Sequence, residues 1–323
     1  MTPSTRWRSL LLAIALAAVL LYFAFRNVDW SELLSILAGA RPQYLALVVG
    51  AFSCSTFLRG VRWRLLLAAD RPIPVLLGFW GVSAGYLGNG FLPARAGELL
   101  RSALVARRTG LGTTYVLATA LTERILDAVA LALILAGVLA TLEQVPDWLV
   151  VAGRAGAVLG AVGLVGLLVL PFFEGVALGL LGRLPLPPGL RDRLATLVER
   201  FLLGLRAVHS IARASQFLGL TAAVWIIDAT AMILCARGLD LTLGYRTAFL
   251  MLSALGLASA APSTPGFVGI YQFVAVSVLP MFGFSKETAL ALILAVQGTI
   301  YLTIIPWGLL GLWRLSVGRP REA

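Results

Sequence analysis

Apolar segments about as long as a bilayer is thick recur along the whole chain, and they constrain its fold more than any other feature. A helix rises about 1.5 Å per residue, so about 20 residues cross a hydrocarbon core of about 30 Å. Of the 323 residues, 59% are hydrophobic and 13% are charged, whereas about a quarter of a soluble domain is charged. The mean hydropathy is +0.93. The sequence therefore predicts an all-α polytopic membrane helix bundle, with one integral-membrane domain over residues 1–323.

Six apolar segments are long enough, with their flanking residues, to be full spans. They cover residues 9–25, 44–58, 114–142, 148–173, 216–236 and 288–313. The first is expected to remain as a span, because it is long for a signal peptide and no convincing small-residue cleavage site follows it. Two further apolar regions, 75–108 and 247–280, are interrupted at GNGFLPARAG and PSTPG.

The arginines assign these segments to the two sides of the membrane, because basic residues accumulate in cytoplasmic loops. The basic stretches are 59–71 (with Arg59, Arg62, Arg64 and Arg71), 183–213 and the tail after residue 313. We place all three in the cytoplasm and the acidic connection at 143–147 outside. Both termini are then cytoplasmic, in the inner membrane of a bacterium or archaeon. The segment 183–213 is predicted to include a basic amphipathic helix on the inner leaflet.

This assignment requires both interrupted regions to be re-entrant helical hairpins that enter from opposite faces. The legs 247–261 and 267–280 reach only about 22 Å, which is too short to cross. The leg 75–92 is long enough to cross, so the first hairpin depends on the charge of the residues that follow it. Non-helical backbone occurs at membrane depth only where it is buried in protein or lines a wet cavity, and opposed half-helices recur in transporters.

Ionisable residues inside the apolar segments are candidates for function, because they are costly in a bilayer and usually face the bundle interior or a pathway. Glu98 and Arg101 are three residues apart, so they can pair on one helix face. Arg95 lies in the interrupted stretch just before them, and Asn89 lies at the end of the preceding leg. These four residues form the first candidate group.

A second group lies in TALTERILDAVAL. Glu123 and Asp127 are four residues apart on one face, and Arg124 can pair with Asp127. This helix carries one more negative charge than it can pair internally, so we expect Arg95 or Arg101 to supply a partner.

The remaining candidates are Asp228, isolated in the span 216–236, and the tip of the second hairpin. The tip offers hydroxyl groups, an amide and glycines: Ser263, Thr264, Gly266, Gly269, Tyr271 and Gln272. The glycines are expected to permit close approach of a phosphate or sugar, and a helix beginning near Gly266 would favour an anion. The alternative for the charged clusters is structural, with ion pairs that only fix helix register.

Other kinds of site are excluded by the residues available. A single histidine, His209, rules out a multi-histidine metal site, and two cysteines within apolar segments, Cys54 and Cys235, rule out a disulfide framework and a cysteine zinc site. The sequence has no nucleotide-binding loop or dinucleotide fingerprint, so no cofactor is expected. The basic residues are scattered between apolar spans, which argues against binding to nucleic acid.

Three stretches, FLPARAGELLR, LTERILDAVAL and APSTPGFVGIYQ, occur in an order and spacing that resemble the lysylphosphatidylglycerol synthase/flippase transmembrane family. The family includes the membrane half of the multiple peptide resistance factor and stand-alone relatives. The resemblance runs from about Arg6 to Arg314 and implies a lipid-flippase-like fold. The family pattern falls on Pro93, Arg95, Gly97, Glu98, Arg101, Glu123, Arg124, Asp127, Pro262, Pro265, Gly266 and Gly269.

Two departures limit what the resemblance implies. Many relatives carry Glu where this chain has Gln272, and the loss of a carboxylate weakens the case for a cationic, aminoacylated head group. The aminoacyl-transferase domain of the family is absent from the 323 residues, so synthesis of an aminoacyl lipid is not expected.

The leading interpretation is a flippase, not an enzyme, that moves an anionic phospholipid, an aminoacyl lipid or a polyprenyl-phosphate lipid between leaflets. The phosphate would be held by arginines and balanced by carboxylates: Arg95, Arg101, Arg124, Glu98, Glu123 and Asp127. One alternative is an accessory protein that presents lipid to a synthase or glycosyltransferase partner through 183–213. Another, less favoured, is a membrane enzyme that acts on a lipid phosphate with Glu98 or Asp127 as base. A homo-oligomer is left open.

Overall fold

The computed structural model describes residues 15–68, 72–92, 96–142, 147–205, 210–259 and 265–317. Within these ranges every regular element is an α-helix or a short 3₁₀-helix, so the predicted all-α fold is confirmed. Three of the predicted site residues lie outside the described ranges: Arg95, Ser263 and Thr264.

The helices are numbered in chain order. They are α1 (Ala15–Phe25), α2 (Trp30–Ala38), α3 (Pro42–Leu67), α4 (Val75–Phe91), α5 (Gly97–Thr109), α6 (Thr113–Leu139), α7 (Asp147–Val169), α8 (Glu174–Arg183), α9 (Pro188–Leu205), α10 (Ile211–Gly238), α11 (Tyr245–Ala258), α12 (Ile270–Val278) and α13 (Lys286–Ser316). Short 3₁₀ segments are Leu170–Phe173, Pro265–Phe267 and Leu279–Phe282.

Four helices in the described part of the chain are long and apolar enough to cross a membrane: α3, α10, α13 and, over Leu149–Gly166, α7. The sequence predicted six full spans. The first of these is described only from Ala15 onward, as α1. The other predicted span that is not among these four is α6. It has 27 residues and rises about 40 Å, but three ionisable residues near its middle make it less apolar. The chain is thus a polytopic membrane bundle, and the charges of α6 have to be satisfied inside it.

Helix α3 differs most from the prediction. The sequence predicts a span at 44–58 followed by a basic cytoplasmic stretch, but α3 continues to Leu67 and carries Arg59, Arg62 and Arg64 as helical residues. Arg62 is fully buried and Arg59 is 9% exposed. Arginine is a good helix former, and both guanidinium groups meet carboxylates of neighbouring helices, so nothing ends the helix at the predicted point. These two arginines give no information on sidedness, and the placement of the termini stays a prediction.

Helices α4 and α5 form the first predicted hairpin. They pack antiparallel, with Gly81 against Val105 and Gly85 against Arg101. A β-carbon at Gly97 would lie 2.0 Å from the backbone oxygen of Gly85, so only glycine fits where the two backbones touch. Helix α5 has 13 residues and rises about 20 Å, too short to cross. The face from which this hairpin enters stays a prediction.

Helices α11 and α12 form the second hairpin, and its tip contacts the tip of the first. They have 14 and 9 residues, so neither is long enough to cross. A β-carbon at Gly266 would lie 3.4 Å from the backbone oxygen of Gly90 near the end of α4. The ring of Tyr301, on α13, lies 6.0 Å from that of Phe91. The described residues that flank the two helix breaks, Gly90 and Gly266, thus lie close together.

Two buried apolar clusters lie at different levels along the helices. On α6, Ala120 belongs to one cluster and Leu135 to the other; on α10, Phe217 and Ala229 are divided in the same way. The polar residues of α6 and α10 between these positions therefore lie between two apolar layers.

Helix α9 corresponds to the amphipathic segment predicted within 183–213. Its buried residues include Leu202 and Leu205, and Gly204 lets it pack closely on α6, where a β-carbon would lie 2.6 Å from Cβ of Ala118. The helix is shorter than predicted, since Arg213 already belongs to α10. The side of the membrane on which α9 lies stays a prediction.

Candidate functional site

Four arginines and four carboxylates from four helices lie in contact inside the bundle. We call this set the ion network. Its members are Arg59 and Arg62 on α3, Glu98 and Arg101 on α5, Glu123, Arg124 and Asp127 on α6, and Asp228 on α10. The eight charges sum to zero. The fold thus brings together the arginines of α3, the start of α5 in the first hairpin, the middle of α6 and the aspartate of α10.

Arg62 is the best satisfied member of the network. Its two terminal nitrogens donate to both oxygens of Asp127, at 2.7 and 2.9 Å, and one also donates to Glu123 at 2.9 Å. The other terminal nitrogen donates to the hydroxyl of Thr221 at 3.1 Å. A two-pronged pair of this kind fixes orientation as well as distance. Arg62 thereby ties α3 to α6 and α10.

The sequence suggested that Asp228 is isolated, but Arg59 donates a hydrogen bond to its carboxylate. The guanidinium of Arg59 also lies 4.9 Å from the ring centre of Trp225 and 4.0 Å from Asp127. This pair joins α3 to α10 and connects Asp228 to the rest of the ion network. The sequence reading missed the connection because it placed Arg59 in a cytoplasmic loop.

Arg101 lies between two carboxylates, as expected from the sequence. One terminal nitrogen is 2.6 Å from Glu98 and 2.9 Å from Glu123, so both predicted pairings are formed. Neither contact has the geometry of a hydrogen bond. Nε and the other terminal nitrogen of Arg101 have no hydrogen-bond acceptor among the described residues. The guanidinium is 4.4 Å from the ring centre of Trp63, and the residue is only 1% exposed.

The ion network opens at one edge, where Arg124 and Glu98 have side chains that are 27% and 14% exposed. Nε of Arg124 is 3.1 Å from Glu98, and its guanidinium lies 5.8 Å from the ring centre of Tyr86. Asn89 donates a hydrogen bond to Glu98 at 3.3 Å. We call these four residues, Tyr86, Asn89, Glu98 and Arg124, the open edge. One terminal nitrogen of Arg124 has no hydrogen-bond acceptor in the described part of the chain.

The energetics of the network argue against a purely stabilising role. Removing two charges from water costs several kcal/mol per ion, and their attraction repays this only where hydrogen bonds satisfy the remaining groups. Arg62 comes closest to that condition, with only its Nε lacking an acceptor among the described residues, whereas Arg101 and Arg124 each lack acceptors for two or more nitrogens. Within the described residues, no group of three or more His, Cys, Asp or Glu side chains is placed to share a metal ion. The unsatisfied arginines therefore point to an anion as the missing partner.

The glycines of the second hairpin do not leave room for a ligand, which corrects the sequence prediction. Both have a positive φ, 69° at Gly266 and 92° at Gly269. A β-carbon at Gly266 would lie 1.7 Å from the hydroxyl of Tyr301, and one at Gly269 would lie 2.9 Å from the backbone oxygen of Ala17. Protein atoms occupy the space above each glycine, so the two residues permit a turn and close helix packing.

Gln272 is also engaged within the protein. It is 3% exposed, its oxygen accepts a hydrogen bond from the backbone N–H of Gly269 at 2.8 Å, and its nitrogen donates to Gln297. Gln297 in turn donates to the backbone oxygen of Gly266 at 3.2 Å. Helix α12 begins at Ile270 and not near Gly266, and Gln272 caps it. This chain of amides holds the hairpin tip against α13.

Tyr271 stacks on Phe267, with ring centres 5.2 Å apart and planes inclined by 9°. Among the predicted site residues, Tyr271 and Gln272 therefore belong to the second tip, Glu98 and Arg101 belong to the ion network, and Asn89 contacts the network through Glu98. Arg59 and Arg62 are the members that sequence reasoning did not include. One signal was available: no Pro separates the preceding apolar span from these arginines, and the single Gly60 between them is tolerated in a helix, so the helix could continue through them.

Two comparisons with known proteins bear on the family and the role of this chain. A family model described as the lysylphosphatidylglycerol synthase TM region matches residues 10–308. The glycosyltransferase AglD of Haloferax volcanii is 28% identical over 303 residues, which cover 81% of this chain and 46% of AglD. The chain thus spans about half the length of this relative. Together the matches support a membrane role that involves lipid, either as a flippase or in association with glycosyl transfer.

The match to AglD contradicts the prediction that the chain is not an enzyme, because this relative is named as a glycosyltransferase. It also favours an association with glycosyl transfer over the flippase that the sequence reading put first. The family assignment itself rests on a match to nearly the whole chain, residues 10–308. The protein belongs to the lysylphosphatidylglycerol synthase transmembrane-region family.

Proposed function

We propose that this protein binds the phosphate of a lipid-linked sugar or of its lipid carrier within the membrane and handles that lipid during glycosyl transfer. It does so as part of the transferring enzyme or by presenting the lipid to a glycosyltransferase partner. The observation that carries the proposal is the open edge of the ion network. There, the side chain of Arg124 is 27% exposed, and just beneath the surface its Nε and one terminal nitrogen are buried without a hydrogen-bond acceptor among the described residues.

The chemistry of the open edge favours a phosphate. Arg124 offers a planar fork of N–H groups, which matches the oxygens of a phosphate as well as those of a carboxylate. Asn89 adds an amide donor, and the ring of Tyr86 supplies an apolar flank for the first carbons of a lipid chain. Gln272, buried at the other tip, supplies no carboxylate for a cationic head group. A polyprenyl-phosphate lipid therefore fits better than an aminoacyl lipid.

If the chain itself transfers the sugar, Glu98 is the carboxylate best placed to act as a base. It is the most exposed of the four carboxylates in the network. Asp127, the other candidate from the sequence, accepts hydrogen bonds from Arg62 at both of its oxygens, so neither oxygen is as free to take up a proton from a substrate.

Translocation of the lipid is a second candidate, and one observation favours it. The tips of the two hairpins approach each other at Gly90 and Gly266, and Tyr301 of α13 lies beside both. Opposed broken helices that meet in the membrane are the arrangement through which transporters alternate access. In this version the lipid phosphate bound at the open edge passes from one leaflet to the other when the tips separate.

Helix α9 is the surface that we propose for a partner. Leu190 and Leu197 are each 45% exposed, and Arg193 and Arg200 are also exposed. A helix with exposed leucine and arginine side chains is suited to binding at a membrane surface. From there it would hold a soluble glycosyltransferase near the lipid, on the side of the membrane that the sequence predicts to be cytoplasmic.

The proposal is tested with the purified chain in nanodiscs. Binding is measured for polyprenyl phosphate, phosphatidylglycerol and lysylphosphatidylglycerol, and sugar transfer is then assayed with a polyprenyl-phosphate-linked sugar as donor. We expect polyprenyl phosphate to bind best and Arg124→Gln to weaken that binding. Arg237→Gln, a change at an exposed position of α10, is the matched control. A preference for lysylphosphatidylglycerol, or equal binding by Arg124→Gln and the control, would contradict the proposal.

A further inference from the structure

Arg101 and Arg124 have more N–H donors than the network gives them acceptors. In Arg101, all three nitrogens lack a hydrogen-bond acceptor among the described residues, and in Arg124 the same holds for Nε and one terminal nitrogen. Arg62, in contrast, forms a two-pronged pair with Asp127. A buried donor without an acceptor is costly. The position between Arg101 and Arg124 is therefore suited to an anion that offers more acceptor oxygens than the network now provides to these two arginines.

Glu98 is the group that currently occupies this place. One of its oxygens lies 2.6 Å from Arg101 and the other 3.1 Å from Arg124, both without hydrogen-bond geometry. Its hydrogen bond from Asn89 is long, at 3.3 Å. Its side chain is 14% exposed, compared with 1% for Glu123, 8% for Asp127 and 9% for Asp228. It is the carboxylate of the network with the most exposed side chain, and none of its ion-pair contacts with the described residues has hydrogen-bond geometry.

Charge balance limits what can enter. The eight charges of the network sum to zero, so a phosphate added beside Glu98 would leave an unmatched negative charge at a depth where charge is costly. A phosphate that takes the place of Glu98 brings at least one negative charge and additional acceptor oxygens. Displacement of Glu98 therefore keeps the arginines paired and offers acceptors to the unsatisfied N–H groups.

We propose that Glu98 is an internal stand-in for the ligand: its carboxylate fills a phosphate position between Arg101 and Arg124 until a phosphate displaces it. This inference rests on the proposed function, because it gives the phosphate named there a place and a competitor. The same chemistry would serve the phosphate of a lipid or free inorganic phosphate. Glu98 lies in the first turn of α5, directly after the hairpin tip, so its side chain can swing outward without the rest of the network changing.

The first experiment measures binding of polyprenyl phosphate in nanodiscs to wild type, Glu98→Gln and Arg124→Gln. Glutamine keeps the shape of Glu98 and removes the competing charge, so Glu98→Gln should bind about tenfold tighter, while Arg124→Gln should bind more weakly. Glu32→Gln, at an exposed position of α2, is the control and should match wild type. Polyprenol, which lacks the phosphate, and inorganic phosphate are the two ligand controls.

The outcomes separate this inference from the function on which it rests. If Glu98→Gln binds no tighter than wild type while Arg124→Gln binds more weakly, the stand-in role is wrong and lipid-phosphate binding survives. If inorganic phosphate binds as well as the lipid and Glu98→Gln strengthens both, the stand-in role holds and the lipid assignment is wrong. If no phosphate compound binds to folded wild type, both are wrong.

A second experiment needs no substitution, in case Glu98→Gln does not fold. Wild-type protein is labelled at carboxyl groups with a carbodiimide and an amine, with and without polyprenyl phosphate, and the rate at each residue is read by mass spectrometry. Displacement should expose Glu98 and increase its labelling rate, with Glu32 unchanged. A rate at Glu98 that falls or stays the same when lipid is bound would overturn the inference.

Discussion

Arg62 on α3 and Asp127 on α6 form a two-pronged ion pair, with N–O distances of 2.7 and 2.9 Å, at a position where Arg62 has no solvent exposure. Removing one partner of such a buried pair leaves an uncompensated charge, which costs about 3–5 kcal/mol. We therefore expect Arg62→Met to lower the free energy of unfolding by about that amount, measured by chemical unfolding in detergent.

The control for this prediction is Arg237→Met, at an exposed position of α10. A surface substitution of this kind should change stability by no more than about 0.5 kcal/mol. Equal effects of the two substitutions would mean that the Arg62–Asp127 pair does not hold the helices together.

Arg59 and Asp228 should be coupled in a double-mutant cycle. Arg59→Gln leaves Asp228 buried without its hydrogen-bond donor, and Asp228→Asn leaves Arg59 with only the distant Asp127. The double variant should be less destabilised than the sum of the single variants, by about 0.5–3 kcal/mol. Thermal unfolding of the four proteins checks this, and additive effects would show that the two residues act independently.

Gly97→Ala should open the first hairpin. The new β-carbon would lie 2.0 Å from the backbone oxygen of Gly85 and 2.5 Å from the backbone nitrogen of Asn89, so α4 and α5 would have to separate at a cost of at least about 1–3 kcal/mol. Because this moves Glu98 and Asn89, lipid-phosphate binding should also weaken. Both effects are measurable in the same nanodisc preparation.

Gly50→Ala is the matched control, since a β-carbon at this position of α3 meets nothing within 4 Å. Alanine is a better helix former than glycine by about 0.5–1 kcal/mol, so this variant should be as stable as wild type or more stable. If Gly97→Ala behaved in the same way, the close contact between α4 and α5 would be wrong.

The contact between Gly266 and Tyr301 should show partial rescue. Gly266→Ala places a β-carbon 1.7 Å from the tyrosine hydroxyl, at a residue whose φ of 69° already disfavours alanine. Adding Tyr301→Phe removes the nearest atom and leaves the ring carbon at 3.0 Å. We expect the double variant to be more stable than Gly266→Ala alone and less stable than wild type, because the backbone strain remains. No rescue would show that the hydroxyl does not lie over Gly266.

Gln272→Glu should destabilise the second hairpin. The carboxylate can still accept from the backbone of Gly269, but it cannot donate to Gln297 and it brings a charge to a residue that is 3% exposed. The loss should be about 1–3 kcal/mol or more. Gln272→Glu combined with Gln297→Lys, which offers a cation in place of the amide, should recover part of it. A stable single variant would mean that Gln272 is not held as described.

Periodicity and charge sufficed to predict much of the fold, because a bilayer restricts a chain to helices of fixed minimum length. The pair Glu98–Arg101 followed from a spacing of three residues, and the partner for Glu123 followed from counting charges. Arg59 and Arg62 could not be assigned in this way. Loop arginines and buried arginines look alike in a sequence, and only the position of Asp127 and Asp228 on other helices shows which kind these are.

The prediction that Gly266 and Gly269 leave room for a ligand differs from the structure for a related reason. A glycine with a positive φ permits close approach, but the sequence does not show what approaches. At Gly266 and Gly269 the neighbours are Tyr301 and Ala17, and the latter lies about 250 residues away in the chain. Contacts between distant segments decide such cases, and no local pattern contains them.

The central claim is that the guanidinium of Arg124 binds a lipid phosphate at the open edge. The most direct test is a solid-state NMR distance measurement between ¹⁵N in arginine side chains and ³¹P of polyprenyl phosphate, with the protein in phosphorus-free detergent. The account predicts close N–P contacts in wild type, of which the contact from Arg124 is lost in Arg124→Gln and all are kept in Arg237→Gln. Bound lipid that shows no such contact, or a set of contacts that Arg124→Gln leaves unchanged, would contradict it.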